Sequence, residues 1–231
     1  MSIRLITFDL DDTLWDNRPV ILGAEAAMRD WLTVHAPRLA AEPVEHLWGI
    51  RSQLLAAEPT LRHRLSELRR RTLLHALEGL DYSHAEASQL AQGAFEAMIE
   101  ARHRITFFPE TVPTLELLAN RYHLGVITNG NADVRRLGLA DYFQFALSAE
   151  ELGIGKPAPQ PFREALRRAG VAAEQAVHVG DHSGDDIQGA RSVGLRAVWF
   201  NPAGQAWNGD EPADAEIASL GELPALLRSW E

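Results

Sequence analysis

The sequence predicts an α/β protein in which a doubly wound parallel sheet is interrupted by an all-helical insertion. Short apolar segments alternate with helical patterns at both ends of the chain, and this alternation is typical of a parallel sheet covered by helices on both faces. Between residues 19 and 104 the alternation stops, and only long helical patterns are left. Acidic or polar residues follow several apolar segments, which indicates a functional site at the edge where open α/β sheets bind ligands.

Composition narrows the class of protein. The 231 residues are 46% hydrophobic and 23% charged, as is typical of a globular protein with a sizeable core. A formal net charge of −10 argues against binding to nucleic acid or to an anionic membrane. The absence of cysteine excludes disulfides and a thiolate nucleophile and is in keeping with a cytoplasmic location. We expect neither a signal peptide nor a membrane span, because no apolar run approaches roughly 20 residues.

The first predicted strand, Ile3 to Phe8, ends at a cluster of carboxylates. Asp9 and Asp11 are two residues apart, so on an extended backbone they point to the same side. Two buried acids in register are tolerated when a cation lies between them or when one of them takes part in chemistry. A turn or helix cap built by Asp12 and Thr13 is the structural alternative, but a turn has little need for acids in register.

The insertion is predicted to be a helical cap of residues 19–104 on a core domain of residues 1–18 and 105–231. It leaves the sheet directly after the acidic cluster, so we expect it to lie over that cluster. Proline and glycine residues separate its helical patterns. The predicted helices of the cap are Val20–His35, Val44–Ala57, Thr60–Gly79 and Ser83–Arg102.

Two features, one inside the insertion and one just before it, each have two interpretations. Residues 60–71 contain five arginines and one glutamate, which form either a basic rim for an anionic substrate or, as is more usual, a solvated helix face. Trp15, beside the acidic cluster, either stacks on a planar substrate or packs the connection to the insertion.

Five later segments complete the predicted sheet: His123–Ile127, Phe143–Leu147, Gln175–Val179, Leu195–Phe200 and Ala215–Ile217. Helical patterns lie beside them at Val112–Arg121, Ala132–Leu137, Pro161–Ala169, Asp185–Val193 and Leu220–Trp230. Right-handed crossovers bring the carboxyl ends of parallel strands to one edge of the sheet. Polar groups that follow different strands are therefore expected to meet there.

Polar residues at three of these strand ends have both functional and structural interpretations. Thr128 and Asn129 follow the second strand, although Asn129 and the next glycine also suit a hairpin turn. Lys156 lies in the loop after the third strand, and most lysines are simply solvated. Asp181 follows the fourth strand, where an acid also caps helices well. Each signal is weak alone, but their order along one sheet edge favours a common site.

Four motifs, taken in this order, resemble those of the haloacid dehalogenase superfamily. They are Asp9-Leu10-Asp11-Asp12-Thr13, Ile127-Thr128-Asn129, Lys156-Pro157, and Gly180-Asp181 followed by Asp186. The resemblance covers the whole chain, including a helical cap inserted after the first motif, as in subfamily I. It implies a Rossmann-like doubly wound core with an all-helical cap. It also implies a phosphatase, since dehalogenases of this superfamily lack the acid found here at Asp11.

The resemblance implies phosphoryl transfer in two steps. Asp9 attacks phosphorus and forms an aspartyl-phosphate, and Asp11 protonates the leaving oxygen and then activates the hydrolytic water. Mg²⁺ is the implied cofactor, held by the carboxylates of Asp9 and Asp181 and by the backbone carbonyl of Asp11. Asp186 is implied to stand behind these ligands and to orient them or the metal-bound water.

Phosphate binding is implied for a further set of residues, which are the Thr128 hydroxyl, the Asn129 amide and Lys156. A transferred phosphoryl group carries negative charge on its oxygens, so positioning and electrostatics dominate its chemistry. Lys156 and Mg²⁺ would supply the local positive charge that this acidic chain otherwise lacks.

A longer match is similar to bacterial phosphatases of flavin mononucleotide (FMN) and of the riboflavin-pathway pyrimidine. It covers Phe8 to Ile21, Ile127 to Ala132, and Tyr142-Phe143. The partner implied is a small phosphorylated metabolite, with FMN or 5-amino-6-(5-phospho-D-ribitylamino)uracil as the best candidates. A phosphatase of small sugar phosphates or of phosphoglycolate is the alternative.

Other interpretations have less support. A non-catalytic binding protein of this fold would be expected to lack Asp9, Asp11 or Lys156, and all three are present. Schiff-base chemistry in the cap is disfavoured because Lys156 is the only lysine in the chain. We expect no nucleic-acid or membrane partner, and a monomer or homodimer.

Overall fold

The computed structural model describes residues 2–209 and 211–230 of the chain. They form two compact units, one made of the residues up to Asp16 and from Thr106 onward, and the other of Asn17–Ile105. The six strands formed by the described residues all belong to the first unit, whereas the second unit is helical. The predicted limits of the insertion, residues 19 and 104, lie close to this division.

The first unit is organised around a parallel sheet with the strand order β3-β2-β1-β4-β5-β6. The strands are β1 Leu5–Phe8, β2 His123–Thr128, β3 Phe145–Ser148, β4 Ala176–Gly180, β5 Arg196–Phe200 and β6 Ala215–Ile217. The chain moves outward from β1 in both directions, so right-handed crossovers cover both faces of the sheet. The predicted fold class is therefore confirmed.

The described residues also form ten α-helical segments, five in each unit. They are α1 Asn17–His35, α2 Pro37–Ala40, α3 Val44–Ala57, α4 Leu65–Glu78, α5 His84–Ala101, α6 Thr111–Ala119, α7 Ala149–Leu152, α8 Pro159–Ala169, α9 Gly189–Arg191 and α10 Leu223–Ser229. None of these described helices is long and apolar enough to cross a membrane.

Strand β1 lies at the centre of the sheet, and its four residues are all buried. A short, continuous apolar run suits a strand that is covered on both faces. Phe8 is level with Val126 of β2 and with Val179 of β4. The next residue, Asp9, therefore emerges between the carboxyl ends of two neighbouring strands, and its backbone N–H donates to the Val179 carbonyl at 2.9 Å.

Helix α8 packs against one face of the sheet. Its buried side is formed by Pro161, Phe162 and Ala165, and Phe162 belongs to the same apolar cluster as Ile127 of β2. Burying a phenylalanine ring in this way contributes about 2–3 kcal/mol to folding. The helix ends at Gly170, whose φ of 64° is a left-handed conformation that glycine adopts without a steric penalty.

The second unit has an apolar core of its own. Helices α1, α4 and α5 contribute Met28, Leu77 and Phe95 to one buried cluster. Helix α5 begins after Ser83, as its sequence predicts, because Ser83 and Glu86 form a reciprocal capping box.

The five arginines of residues 60–71 are engaged within the second unit. Their contacts are Arg64 and Arg71 with Glu58, Arg69 with Glu25, Arg70 with Glu67 and the face of Phe95, and Arg62 with the Pro59 carbonyl. These contacts favour the structural interpretation of the arginines over a basic rim for substrate.

Trp15 also has a structural role. Its side chain is fully buried, and its ring lies edge-on to Phe107 at a centroid distance of 6.1 Å. Both residues belong to the first unit, so Trp15 packs inside that unit and presents no face to a planar substrate.

Four of the predicted helices are wrong in form. Asp185–Val193 is a π-helical segment, Ser183–Gln188, followed by the short α9, and Leu220–Trp230 begins with a 3₁₀ turn, Leu220–Glu222, before α10. Ala132–Leu137 forms turns, because the Asp133 carboxylate accepts the Arg135 N–H at 2.9 Å and Gly138 follows with a φ of 71°. The predicted helix Thr60–Gly79 is a 3₁₀ turn, Pro59–His63, followed by α4. The turn allows Leu61 to pack against buried leucines on either side of it.

Candidate active site

The carboxyl edge of the sheet brings together side chains from four separate parts of the chain. Asp9 follows β1, Thr128 ends β2, Lys156 lies after α7, and Asp181 follows β4. The sequence predicted each of these residues at a strand end, and parallel pairing sets those ends side by side.

Asp9 and Lys156 are in direct contact at the centre of this edge. The Lys156 Nζ donates to the Asp9 Oδ1 at 2.5 Å and to the Asp186 Oδ1 at 2.5 Å. Asp9 is 7% exposed and Lys156 is 5% exposed, so the three charges lie away from bulk water. One lysine therefore forms ion pairs with two buried carboxylates, and the cluster carries an excess of negative charge.

The pKa values within this cluster differ according to the donors that each group has. Burial raises the pKa of Asp9 well above its usual value, against the opposing effect of Lys156 and with the help of Asp186. Burial works against the Lys156 ammonium, but Asp186 and Asp9 together hold the pKa of Lys156 above its usual range. Burial also works against the Asp186 carboxylate, but Lys156 and His178 outweigh it and hold the pKa of Asp186 below its usual range.

Asp186 is held by donors on both of its oxygens. Its Oδ1 accepts from Lys156 Nζ and from His178 Nε2, and its Oδ2 accepts from the backbone N–H of His182 at 3.0 Å. The residue lies in a π-helical segment, Ser183–Gln188, a conformation often found at functional sites. A methyl group at Gly180 would overlap the Asp186 carboxylate, so glycine at that position is required for this approach.

His178 and Thr7 were not predicted as site residues, yet they form the buried support of Asp186. They face each other on β4 and β1, with Thr7 Oγ1 2.9 Å from His178 Nδ1. Since His178 Nε2 lies 3.0 Å from a carboxylate oxygen, Nε2 carries the proton and Nδ1 accepts from the threonine hydroxyl. The signal in the sequence is a lone histidine between Val177 and Val179 of a buried strand.

The carboxylates of Asp9, Asp181 and Asp186 each place an oxygen within 4.8 Å of the others. Burial and the nearby Asp186 and Asp12 raise the pKa of Asp181 to about 6. Buried acids that lack sufficient positive charge, and that offer only oxygen donors, fit a hard cation such as Mg²⁺. Because the Asp186 oxygens already accept three hydrogen bonds, the fit is best with Asp9 and Asp181 as ligands and Asp186 behind them.

The Asn129 side chain ties two loops of the site together. Its Nδ2 donates to the Lys156 carbonyl at 2.9 Å and to the Asp185 Oδ2 at 3.1 Å, while its Oδ1 accepts the Lys156 N–H at 2.8 Å. Both amide hydrogens are therefore used inside the protein. The side chain positions the Lys156 loop, and only the backbone N–H of Asn129 is suited to the predicted phosphate contact.

Thr128 and Asp11 lie beside the same turn. The Thr128 Oγ1 accepts the Gly130 N–H at 2.9 Å, which leaves its hydroxyl proton able to donate elsewhere. The Asp11 carboxylate lies against Gly130, where any β-carbon would overlap it. Asp11 is half-buried, so it lies closer to solvent than Asp9 does.

Comparison with known proteins places this arrangement in a family. Residues 3–194 match the family described as haloacid dehalogenase-like hydrolase. The chain belongs to this family. The predicted membership, drawn from the four motifs, is thereby confirmed.

Two of the curated relatives that match nearly the whole chain are more than 30% identical to it. One is the 5-amino-6-(5-phospho-D-ribitylamino)uracil phosphatase YigB of Escherichia coli, 35% identical over 97% of this chain and 96% of the relative. The other is a phosphoserine phosphatase of Thermus thermophilus, 31% identical over 96% of this chain and 98% of the relative.

A solved structure is more similar in sequence than either relative. It is the 2-haloacid dehalogenase from Pseudomonas syringae pv. Tomato, which is 62% identical to this chain. The two superpose with a TM-score of 0.97 over 99% of this chain and 100% of the other. This chain is therefore similar both to proteins named as phosphatases and to a protein named as a dehalogenase.

Proposed function

We propose that this protein is a Mg²⁺-dependent phosphomonoester hydrolase that works through an aspartyl-phosphate on a small phosphorylated metabolite. The phosphatase assignment predicted from the sequence is supported by curated phosphatases that match nearly the whole chain, two of them more than 30% identical to it. The observation that carries the proposed mechanism is the buried contact of Lys156 with Asp9 and Asp186, beside the carboxylate of Asp181.

Asp9 is the proposed nucleophile. One of its oxygens attacks phosphorus, the bond from phosphorus to the leaving oxygen breaks, and an acyl phosphate forms on Asp9. Lys156 already lies within hydrogen-bond distance of Asp9, so the incoming phosphoryl oxygens would meet its ammonium at the reacting centre. The Thr128 hydroxyl and the backbone N–H of Asn129 complete the proposed phosphate contacts.

Asp11 is the proposed acid and base. It protonates the leaving oxygen in the first step, and as a carboxylate it then removes a proton from the water that hydrolyses the acyl phosphate. Its half-buried position next to Gly130 suits a group that exchanges protons with substrate and water.

Asp9, Asp181 and the backbone carbonyl of Asp11 are the proposed ligands of Mg²⁺, with Asp186 behind them. The bound cation would neutralise the nucleophile and the phosphate oxygens. The His178–Asp186 contact would keep the ligand side of the site rigid while the substrate binds.

The best candidate substrates are 5-amino-6-(5-phospho-D-ribitylamino)uracil and FMN. The full-length similarity to YigB supports the first of them, and phosphatases of small sugar phosphates or of phosphoglycolate remain the alternative. The cytoplasmic location and the monomeric or dimeric state stay predictions.

A 2-haloacid dehalogenase is the second candidate function, because the 62% identical structure carries that description. Asp11 argues against it, since a displacement of halide needs no acid to protonate the leaving group. Both candidates use a carboxylate nucleophile at Asp9, so loss of activity in an Asp9 variant does not separate them.

One experiment separates the two functions. Purified protein is assayed for phosphate release from p-nitrophenyl phosphate, FMN and the ribitylaminouracil phosphate, and for chloride release from 2-chloropropionate, with Mg²⁺ and with a chelator. We expect Mg²⁺-dependent phosphate release that an Asp11→Asn variant lacks, and no chloride release. Chloride release without phosphate release would overturn the proposal.

A further inference from the structure

Asp185 belongs to the π-helical segment after β4 but takes no part in the proposed chemistry. Its neighbour Asp186 lies in the group of described carboxylates that could hold a cation, together with Asp9 and Asp181. Asp185 is half-buried, and its Oδ2 accepts a hydrogen bond from the Asn129 Nδ2 at 3.1 Å. The two neighbouring acids of this segment therefore have different partners, which indicates different roles.

The Asn129 amide has one orientation that satisfies all of these contacts. Its Oδ1 accepts the Lys156 N–H at 2.8 Å, and its Nδ2 donates to the Lys156 carbonyl at 2.9 Å as well as to Asp185. An ionised carboxylate can accept hydrogen bonds but cannot donate one. An amide turned over would place its oxygen against the carbonyl and the carboxylate, and the Lys156 N–H would lose its acceptor. Asp185 thus favours the orientation that holds the Lys156 backbone.

Close packing passes the position of this amide on to Lys156. A β-carbon at Gly155 would lie 2.3 Å from the Asn129 Oδ1 and 3.0 Å from the Ala149 β-carbon, so the backbone just before Lys156 fits tightly against the amide. The buried ammonium of Lys156 in turn lies 2.5 Å from the Asp9 Oδ1. A shift of the Asn129 side chain would therefore move the cation that contacts the proposed nucleophile.

Asp185 itself is fixed where its segment begins. Its backbone N–H donates to the His182 Nδ1 at 3.0 Å, and the next N–H, that of Asp186, donates to the His182 carbonyl at 3.0 Å. This segment follows β4, whereas Asn129 follows β2, and the central strand β1 separates the two in the sheet. The hydrogen bond from Asn129 to Asp185 therefore joins two loops that strand pairing does not connect directly.

We propose that Asp185 is a positioning residue, which acts through the Asn129 amide to hold Lys156 in place relative to the carboxylates that follow β1 and β4. The inference rests on the proposed phosphoryl transfer and adds a residue to it. Without Asp185 the Asn129 amide loses one of its acceptors, so Lys156 and the phosphate contact at the Asn129 backbone N–H should be held less firmly. Small displacements of such groups reduce the rate, because stabilisation of the transition state depends on their position.

Two substitutions at position 185 test this role. Asp185→Ala removes the acceptor, and we expect kcat/KM for p-nitrophenyl phosphate to fall about tenfold. Asp185→Asn keeps a carbonyl oxygen that can accept from Asn129, so kcat/KM should stay within about threefold of wild type. In an Asn129→Ala background the amide is already absent, and Asp185→Ala should then change kcat/KM by less than about twofold. An equal loss in both backgrounds would overturn the proposal, because Asp185 would act without Asn129.

Exchanging the two side-chain groups gives a second test. Asn129→Asp places a carboxylate against Asp185 and the Lys156 carbonyl, and we expect kcat/KM to fall about 100-fold. Adding Asp185→Asn removes the repulsion and restores an N–H donor between the two side chains, so at least about tenfold should be regained. Asp141→Asn removes the same charge at an exposed residue before β3 and should regain nothing in this background. A double variant with Asp185→Asn that is no more active than this control would contradict the proposal.

A measurement without turnover tests the structural step. Lys156 is the only lysine in the chain, so protein labelled with ¹⁵N-lysine gives one backbone amide signal, from the N–H that donates to Asn129. We expect this hydrogen to exchange with solvent at least about tenfold faster in Asp185→Ala than in wild type or in Asp185→Asn. Thermal melts of each variant set a temperature at which all of them are folded.

The outcomes separate the role of Asp185 from the proposed function. Unchanged exchange and unchanged kcat/KM in Asp185→Ala would overturn the role and leave the phosphatase standing. Faster exchange with unchanged kcat/KM would do the same, since the contact would then be structural only. A wild-type enzyme that hydrolyses no phosphate ester would overturn the proposed function, and the exchange of the Lys156 N–H would not depend on that result.

Discussion

At the scale of single residues, the chemistry of the site follows from a shortage of positive charge around its carboxylates. Asp9, Asp181 and Asp186 gather around one lysine, and two of the three have raised pKa values. Such a site binds a cation well because the cation reduces a charge imbalance that folding has created, and the cation and Lys156 together would then offset the negative charge of a phosphoryl group. The same imbalance makes the consequences of single substitutions predictable.

Asp9→Asn should abolish turnover without unfolding the protein. The amide cannot form an acyl phosphate, so we expect kcat for p-nitrophenyl phosphate to fall at least about 10³-fold. Its carbonyl oxygen can still accept from Lys156, and one surplus negative charge disappears, so the metal-free variant should melt at the wild-type temperature or above it. Calorimetry together with the phosphatase assay checks both parts. Near wild-type turnover would contradict the role of Asp9.

His178 should act as a positioning residue through Asp186. His178→Leu removes the donor to the Asp186 Oδ1, and we expect kcat to fall about tenfold and the free energy of unfolding to fall by about 1–3 kcal/mol. His178→Gln keeps an N–H donor and should recover part of kcat. Equal kcat values in the two variants, despite a measurable difference in stability between either variant and wild type, would show that the histidine only fills space.

At the scale of elements, the π-helical segment after β4 and helix α8 fix the positions of Asp186 and His178. Phe162 of α8 packs edge-on to the His178 ring with centroids 5.2 Å apart. A methyl group at Gly189, just after the π-helical segment, would meet the Phe162 ring, so these elements are in close contact as well. The orientation of His178 therefore depends on the packing of a helix that supplies none of the catalytic groups.

Phe162→Ala should reduce both stability and activity. Removing a fully buried ring leaves a cavity, and we expect a loss of about 3–5 kcal/mol in the free energy of unfolding. Because His178 loses its aromatic neighbour, kcat should also fall at temperatures where the variant remains folded. Urea denaturation and kinetics at about 15 °C measure the two effects. Leu115→Ala, an equally buried change in α6, is the control for loss of stability alone.

At the scale of the whole molecule, metal binding and pH should act together on stability. Folding raises the pKa of Asp181 from 3.8 to about 6, so the folded protein binds this proton more tightly than the unfolded chain does. The contribution of Asp181 is therefore favourable at low pH and is lost as the pH rises from about 4 to about 6. Above that range the ionised carboxylate is available to a cation.

We expect Mg²⁺ to stabilise the protein more at about pH 7.5 than at about pH 5. At a hundredfold excess over Kd, the gain near neutrality should be about 2.7 kcal/mol, or about 5–10 °C in Tm. Thermal melts with Mg²⁺ and with a chelator measure it, and Asp181→Asn should lose most of the shift while Asp141→Asn keeps it. An equal shift at both pH values would contradict the coupling.

Much of the architecture follows from short-range patterns. The strand ends carrying Asp9, Thr128 and Asp181 were predictable because an apolar run that stops at a polar group marks the sheet edge. The residues 132–137 were not, because a six-residue helical pattern cannot outweigh the local hydrogen bond of the Asp133 side chain.

The support of the site was less predictable for a different reason. The His178–Asp186 contact and the hydrogen bond from the Asn129 side chain to the Lys156 carbonyl each join two different segments of the chain. No periodicity within one segment records such a pairing. The residues that perform chemistry were therefore easier to predict than those that hold them in place.

The solitary lysine has a practical consequence. In the folded chain its amine is enclosed and shared between two acids, so acylating reagents find no other side-chain amine to modify and reach this one slowly. Modification at position 156, read by mass spectrometry of the peptide that contains it, would count the molecules whose core has opened. The enzyme thus carries a built-in chemical reporter of its own unfolding at a single atom.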